Sequence, residues 1–265
     1  MPAQETLPSA ENATRSPSEA CELLEWDTKF WGVPIARVQG RELTRERLAE
    51  IDMWCASRDI ACAYFVAALD DFPTVQAALE GGFGCVELRA NGVSPRDPGL
   101  QVVKWVREFE ERDRADVARL ARTSYGLTRF ANDPEFPNDR VADFYERWTM
   151  DSCDGLADCV LVAELDGRVV GYVTCVLAQA RRLEGRVVLL AIEPGGGGMK
   201  SIGISLSVAA LDWLRRHGAR RVQSTTQAGN HATQRLAHHL GYYLAGIEVW
   251  FHKWYRPGAL TGSGT

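Results

Sequence analysis

From Cys21 to Ala90 the apolar positions fall into short blocks of changing period. Cys21–Trp26 and Pro34–Val38 have strand length. Thr44–Ser57 places Leu48, Ile51, Trp54 and Cys55 on one face at helical spacing, and Ile60–Val66 is an unbroken apolar run of strand length. Asp71 and Pro73 open a short helix that Gly81-Gly82 closes, and Phe83–Ala90 alternates as a strand. The pattern then lapses. Asn91–Leu100 holds two prolines and two glycines without apolar periodicity, which predicts a linker.

Beyond it, Val102–Arg107 reads as a strand, and Arg114–Tyr125 carries Val117, Leu120, Ala121 and Ser124 at helical spacing. A loop over Gly126 to Pro137 follows. Asn138 caps a helix with Val141, Phe144, Tyr145 and Trp148 on one face. Asp158–Leu165 and Val169–Ala178 are strands joined by Asp166-Gly167, a strong hairpin signal, and Arg186–Ile192 is a third. Ile202–His217 is a helix stopped by Gly218, Val222–Thr226 a strand, His231–Leu240 a helix stopped by Gly241, and Tyr242–Trp254 a long last strand. The predicted order of this second lobe is β-α-α-β-β-β-α-β-α-β.

The two lobes echo each other. Gly82 follows Trp54 by 28 residues and Gly241 follows Trp213 by 28; each glycine precedes an aromatic, Phe83 or Tyr242. Asp71 and Asn230 each fall 17 residues after their tryptophan, at a helix N-cap. Helix, strand, capped helix, glycine, strand thus occurs twice, although few positions match. The first copy lacks the front helix pair and the central hairpin.

Composition narrows the classes. The 265 residues are 46% hydrophobic and 25% charged, ordinary for a globular chain, and the net charge of −5 does not indicate a dominant nucleic-acid surface. No apolar run reaches the roughly 18 residues a membrane span needs. Met1 to Ala20 is polar and lacks an apolar signal core, so a disordered leader and a cytoplasmic protein are expected. The seven cysteines are scattered and no pair has metal-clip spacing; reduced core thiols and no metal are expected.

Several segments carry a family resemblance: Glu25–Val38 (EWDTKFWGVPIARV), Thr123–Trp148, Ala163–Cys175 (AELDGRVVGYVTC), Thr225–Leu236 (TTQAGNHATQRL) and Val249–Tyr255 (VWFHKWY). With the element order, they make the chain resemble the GNAT (Gcn5-related N-acetyltransferase) superfamily. Within it they are similar to the TDP-fucosamine acetyltransferases of bacterial polysaccharide assembly. The resemblance implies an α/β (α+β) GNAT fold, a mixed central sheet with flanking helices, preceded by a smaller truncated GNAT-like lobe. The expected division is a leader (1–20), a partial GNAT-like lobe (21–90), a linker (91–100), the acyltransferase domain (101–256) and a disordered tail (257–265).

The resemblance also implies a site. Two central strands splay apart and their unpaired backbone takes the pantetheine arm of coenzyme A. Arg186–Ile192 is that strand, which assigns Leu190, Ala191 and Ile192 to the donor, with Lys200, Ser201, Ile202, Gly203 and Ile204 at the turn that receives the pyrophosphate. Asn230 is a helix cap that the resemblance also brings to the pantetheine. The acceptor set is Tyr125, Arg129, Phe130, Thr174 and Gln227.

Two departures stand against the pattern. The family's Gln/Arg-x-x-Gly-x-Gly/Ala turn is blurred in Glu193-Pro-Gly-Gly-Gly-Gly-Met-Lys-Ser-Ile-Gly203, which fits in neither register. Where many relatives place an acidic tyrosine after Asn-x-x-Ala-x-x-Leu, this chain has Ala237, and the neighbouring His238 points about 100° away around a helix. Val187–Ala191 holds no carboxylate, so no base is assigned, and Glu193 reads as a turn residue. Trp250, His252 and Trp254 share one face of the last strand and read as core. The leading expectation is an N-acyltransferase that uses acetyl-CoA or another acyl-CoA and a small-molecule amine such as an amino sugar. Two alternatives stay open. One is a transferase that takes its acyl group from aminoacyl-tRNA through Arg181, Arg182, Arg186, Arg215, Arg216, Arg220 and Arg221. The other is a degenerate module that only binds.

Overall fold

The computed structural model describes residues 19–94, 99, 104–178, 184–194 and 199–261, and no side chain of Met199 or Lys200. Residues 1–18 of the expected leader, the Arg181-Arg182 pair and the Gly195–Gly198 loop lie outside the described residues, while Ala20 is buried. Two compact units emerge. Unit 1 is Met1–Arg89, Thr128–Asn138 and Gly246–Thr265; unit 2 is Ala90–Leu127 and Asp139–Ala245. Each unit therefore draws on chain from both sides of the expected 91–100 boundary.

In unit 1, β1 (Cys21–Leu23) pairs antiparallel with β2 (Ile35–Val38), and β2 runs parallel to β3 (Cys62–Ala68). Between β1 and β2 the chain forms α1 (Glu25–Trp31), where a strand was expected through Trp26. Glu25 and Asp27 in its first turn and Lys29 in its last suit the helix dipole, and Gly32 at φ 78° ends it. The crossover from β2 to β3 is α2 (Arg45–Ser57), capped by the Thr44 hydroxyl on the Arg47 amide. Next comes α3 (Phe72–Glu80), capped by Asp71 on the Thr74 amide with Pro73 in its first turn. The end of the last strand, β10 (Tyr243–Trp254), closes β3 on its other side, from Glu248↔Ala68 to Trp254↔Cys62. Phe65, Phe83, Phe251 and Ile51 fill the core beneath.

β4 (Gly84–Ser94) corrects the linker: Asn91 to Ser94 are strand, not loop. Gly92 is needed here, because a Cβ would meet the Tyr242 ring at 3.3 Å and the Ser224 carbonyl at 3.4 Å. The expected disordered tail also needs correction in part, since Pro257 to Thr261 form turns and Leu260 is buried.

Unit 2 follows the expected order. Of the strand expected from Val102, Lys104 and Trp105 form a turn and Val102 and Val103 lie outside the described residues, which leaves β5 (Val106–Glu108). It is followed by α4 (Arg114–Ser124), a short α5 (Arg129–Asn132, part of unit 1) and α6 (Asn138–Asp151). Then come the hairpin β6 (Cys159–Leu165) and β7 (Arg168–Leu177), β8 (Glu184–Ile192), α7 (Met199–Arg216), β9 (Arg221–Gln227) and α8 (His231–His239). Asp166 and Gly167 both take positive φ, 50° and 77°, the geometry a two-residue hairpin turn demands. β5, β6, β7 and β8 pair antiparallel in sequence, and β8 pairs parallel with β9. Under this sheet α7 buries Ile202, Leu206, Leu211 and Leu214 against Val173, Cys175 and Val222.

Candidate functional site

The sheet of unit 2 opens between β8 and β9. β8 and β9 pair in parallel from Glu184↔Arg221 to Val187↔Ser224 and no further, although β8 runs on to Ile192 and β9 to Gln227. The pairing stops at a bulge. Against β7, Leu190 opposes Val173 and Val187 opposes Cys175, so Val188 and Leu189 together face Thr174. The bulge would orphan a buried amide; the Thr174 hydroxyl accepts it, with Leu189 N at 3.0 Å. A bulge bends and twists its strand, which turns β8 away from β9. The result is a V with its vertex at Val187 and Ser224 and its open end toward the start of α7.

Close packing holds both arms of the V. A Cβ on Gly203 would lie 3.0 Å from Ile192 Cδ1 and 3.3 Å from Leu236 Cδ2, so the glycine lets α7 approach β8 and α8. A Cβ on Gly171 would lie 3.0 Å from the Ala191 carbonyl oxygen, which is backbone and cannot yield cheaply. Asn230 caps α8 through the Thr233 amide at 3.1 Å, and Gln234 Nε2 ties down the turn by donating to the Ala228 carbonyl at 2.5 Å.

The two faces of β8 differ. Gly185 looks onto Leu214 and Ala219 at the end of α7, and beyond the bulge Leu190 and Ile192 also pack on the α7 side. Ala191 is paired with Tyr172 on the other face. There the Tyr172 hydroxyl, fully buried, lies 2.9 Å from Thr149 Oγ1 of α6 and 3.0 Å from the Tyr125 hydroxyl at the end of α4. Burial lifts the Tyr172 phenol well above its ordinary value, so it stays protonated. Tyr125 stacks on Tyr145, ring centroids 4.4 Å apart.

The expected site residues are distributed as follows. Leu190, Ala191 and Ile192 on β8, Ser201 to Ile204 and the backbone of Lys200 on α7, Asn230, Tyr125, Thr174 and Gln227 all belong to unit 2. Arg129 and Phe130 belong to unit 1. Arg129 is buried there: its guanidinium carbon is 4.2 Å from the Tyr64 ring centroid, 4.2 Å from that of Phe130 and 4.7 Å from that of Trp250. Its Nη1 lies 3.3 Å from Nε2 of His252, whose Nδ1 lies 2.7 Å from Asp133 Oδ2. Burial pulls His252 down to about 4 despite that carboxylate, so the ring is neutral, donating from Nδ1 and accepting at Nε2. Trp254 Nε1 also donates to Asp133, at 2.9 Å.

No general acid or base emerges at the V from the residues weighed for it. Ala237 packs on the core beneath the sheet, while His238 and His239 are exposed. Glu193 accepts from Arg119 at 2.8 Å and Arg168 at 3.4 Å. The reading of the sequence missed the Thr174 latch and the Tyr125–Tyr172–Thr149 hydroxyl chain. A polar Thr174 in an otherwise apolar strand was the available signal for the first; the second joins residues from three elements and left none.

Residues 124–242 match the model of the acetyltransferase (GNAT) family. A spore coat polysaccharide biosynthesis protein, SpsD of Bacillus subtilis, is 28% identical over 149 residues, 56% of this chain; the match spans half the length of that relative. Among solved structures, a GCN5-related N-acetyltransferase from Sphaerobacter thermophilus aligns with TM-score 0.61 and 14% identity, covering 89% of this chain and 76% of that one. A tandem GNAT protein from the clavulanic acid biosynthesis pathway aligns with TM-score 0.56 and 15% identity, covering 84% and 76%.

Proposed function

We propose, from the match of residues 124–242 to the acetyltransferase (GNAT) family, that the chain moves an acyl group from an acyl-CoA thioester to the amine of a small molecule, with an amino sugar as the acceptor class. The observation that carries the reading is the V between β8 and β9, vertex at Val187 and Ser224, held open by the Thr174 latch. Its arms offer backbone groups of Val188–Ile192 and Thr225–Gln227 to an extended chain, as an added strand would use them. The residues fit coenzyme A. The start of α7, an 18-residue helix, presents its first amides and dipole at the open end for a pyrophosphate, and Gly203 keeps that end tightly packed. The sugar acceptor rests on SpsD, whose name places it in polysaccharide biosynthesis.

When bound, an acyl-CoA supplies an activated carbonyl and a thiol leaving group of pKa about 8.5. The chain contributes position and polarity. Amides of β8 beyond the bulge polarise the carbonyl oxygen, and the two strands hold the thioester in line for attack. With Ala237 in the core and Glu193 held by arginines, the amine arrives neutral and loses its proton to solvent. The rate should rise as the acceptor amine deprotonates and show no descending limb near pH 8–9.

Titrating acetyl-CoA into the purified full chain, and following thiol release with glucosamine, galactosamine and spermidine, tests the reading. Saturable acetyl-CoA binding and thiol release dependent on an amino sugar are expected. Binding of aminoacyl-tRNA in place of acetyl-CoA would put a tRNA-dependent transferase in its stead. Binding of neither would make the domain a module without transfer chemistry.

A further inference from the structure

Arg186 stands one residue before the vertex of the V. It pairs with Gln223 on β9 and with Val176 on β7, and Val187↔Ser224 is the last rung beyond it. Because Gly185 looks onto α7, alternation turns Arg186 to the opposite face, the one Ala191 and Tyr172 share further along. Gln223 lies beside it on that face. Thr225, two residues further along β9, shares the face and donates from its hydroxyl to Asn91 Oδ1 at 2.9 Å. The surroundings are thus polar, at the closed end of the V and remote from the start of α7 where a pyrophosphate is expected.

Arg186 is only partly exposed, and its Nε is buried without a hydrogen-bond partner among the described residues. No carboxylate among them comes within ion-pair distance of it. Four other arginines of unit 2 each sit on two carboxylates: Arg107 on Asp113 and Glu164, Arg114 on Glu111 and Asp154, Arg119 on Asp116 and Glu193, Arg122 on Asp143 and Glu146. Desolvation lowers the Arg186 pKa and Glu184 offsets it only in part. A cation held partly out of water without a counter-charge costs stability. Arginine's planar fork matches carboxylate and phosphate, which it grips with two parallel hydrogen bonds.

We propose that Arg186 is the specificity-determining contact for an anionic group, carboxylate or phosphate, borne by the acceptor amine. This rests on the acyltransferase reading for the identity of the V, but the contact is read by binding as well as by turnover. The acceptor enters on the face opposite α7, its anion clamps on Arg186, with Gln223 beside it, and its amine is thereby set at the vertex.

The test uses matched amines with the full chain: glucosamine 6-phosphate against glucosamine for phosphate, and galactosaminuronic acid against galactosamine for carboxylate. Calorimetry without donor reads affinity; thiol release with acetyl-CoA reads KM. At least one acidic amine should bind better than its neutral twin by roughly tenfold or more, the worth of a charge-assisted hydrogen bond. Which pair shows the gap distinguishes phosphate from carboxylate. Arg186→Gln should erase the gap by raising KM for the acidic amine, Arg186→Lys should restore part of it, and acetyl-CoA affinity should not change. The melting temperature of Arg186→Gln or Arg186→Met should stay level or rise, since a desolvated, unpaired charge is removed. Equal binding of both twins, a gap that survives Arg186→Gln, or a fall in melting temperature betraying an internal partner would each overturn the proposal. If acidic amines bind through Arg186 but no thiol is released, the acyltransferase reading fails while the anion contact stands.

Discussion

The β2-α2-β3-α3 run of unit 1 and the β8-α7-β9-α8 run of unit 2 have the same order, the same parallel strand pair and the same capped second helix. They differ in what happens beside the parallel pair. In unit 1, β10 lies along β3 from end to end and aromatic rings close the face, with Trp31, Tyr64, Phe130, Phe136 and His252 packed ring against ring. In unit 2 a single bulge parts β8 from β9 halfway along. Two cations follow suit. Arg129 is enclosed by rings and a histidine–aspartate pair, while the buried Nε of Arg186 finds no partner among the described residues. The same topology serves once as a packed support and once as an open seat, and the switch is one extra residue in a strand plus one threonine to accept its amide.

The largest expected effect would strike the closed half. Asp133→Ala leaves His252 Nδ1 and Trp254 Nε1 as buried donors without acceptors and should destabilise by about 3–5 kcal/mol in urea denaturation. Arg186→Gln, at the corresponding cation of the open half, should cost nothing. A similar loss from both would erase the contrast.

Acid should undo the same support. The folded pKa of His252 is depressed to about 4 from 6.5, so the unfolded chain binds the extra proton first. Stability is lost as pH falls from about 6.5 to 4 and levels below that window, by a few kcal/mol at most. Asp133, held low by His252 and Trp254 against the pull of burial, extends the loss below its unfolded value of 3.8. His252→Gln should flatten the upper part of this pH dependence; an unchanged curve would show that another group titrates there.

The open half is sharpened by smaller changes. Gly171→Ala presses a methyl onto the Ala191 carbonyl and should cost roughly 1–3 kcal/mol. Thr174→Val strands the Leu189 amide and should cost roughly 1–3 kcal/mol, while Thr174→Ser should recover most of it. If Val at this position also leaves acetyl-CoA affinity intact, the latch does not set the V. The smallest effects test the likeness of the halves: Asp71→Ala and Asn230→Ala each remove one N-cap and should each cost about 1 kcal/mol.

Much of the fold was legible because its signals are local. Asp166-Gly167 marked the hairpin, Gly218 and Gly241 marked helix ends, and Asp71 and Asn230 marked caps; each acts within a few residues of itself. The errors came where partners are distant. Cys21–Trp26 reads as one strand, yet only three residues find a neighbour before the acidic first turn of α1 takes over. Asn91-Gly92 falls in the segment read as a linker, yet Tyr242 and Ser224 need a strand with no side chain at Gly92. In the site, β8 was legible as a strand from its apolar run and the glycine-rich turn after it, while its parting from β9 was implied only by the family resemblance. Arg129 was assigned to the acceptor from a loop, because nothing in its own segment announces Tyr64, Trp250 and His252 as its surroundings.

The most direct test of the account is amide hydrogen exchange of the full chain with and without acetyl-CoA. The account predicts slower exchange at Val188–Ile192, Thr225–Gln227 and the first turn of α7, with Ile35–Val38 and Cys62–Ala68 unchanged. Protection confined to the β2–β3 pair, or saturable binding with no protection in β8 and β9, would contradict it.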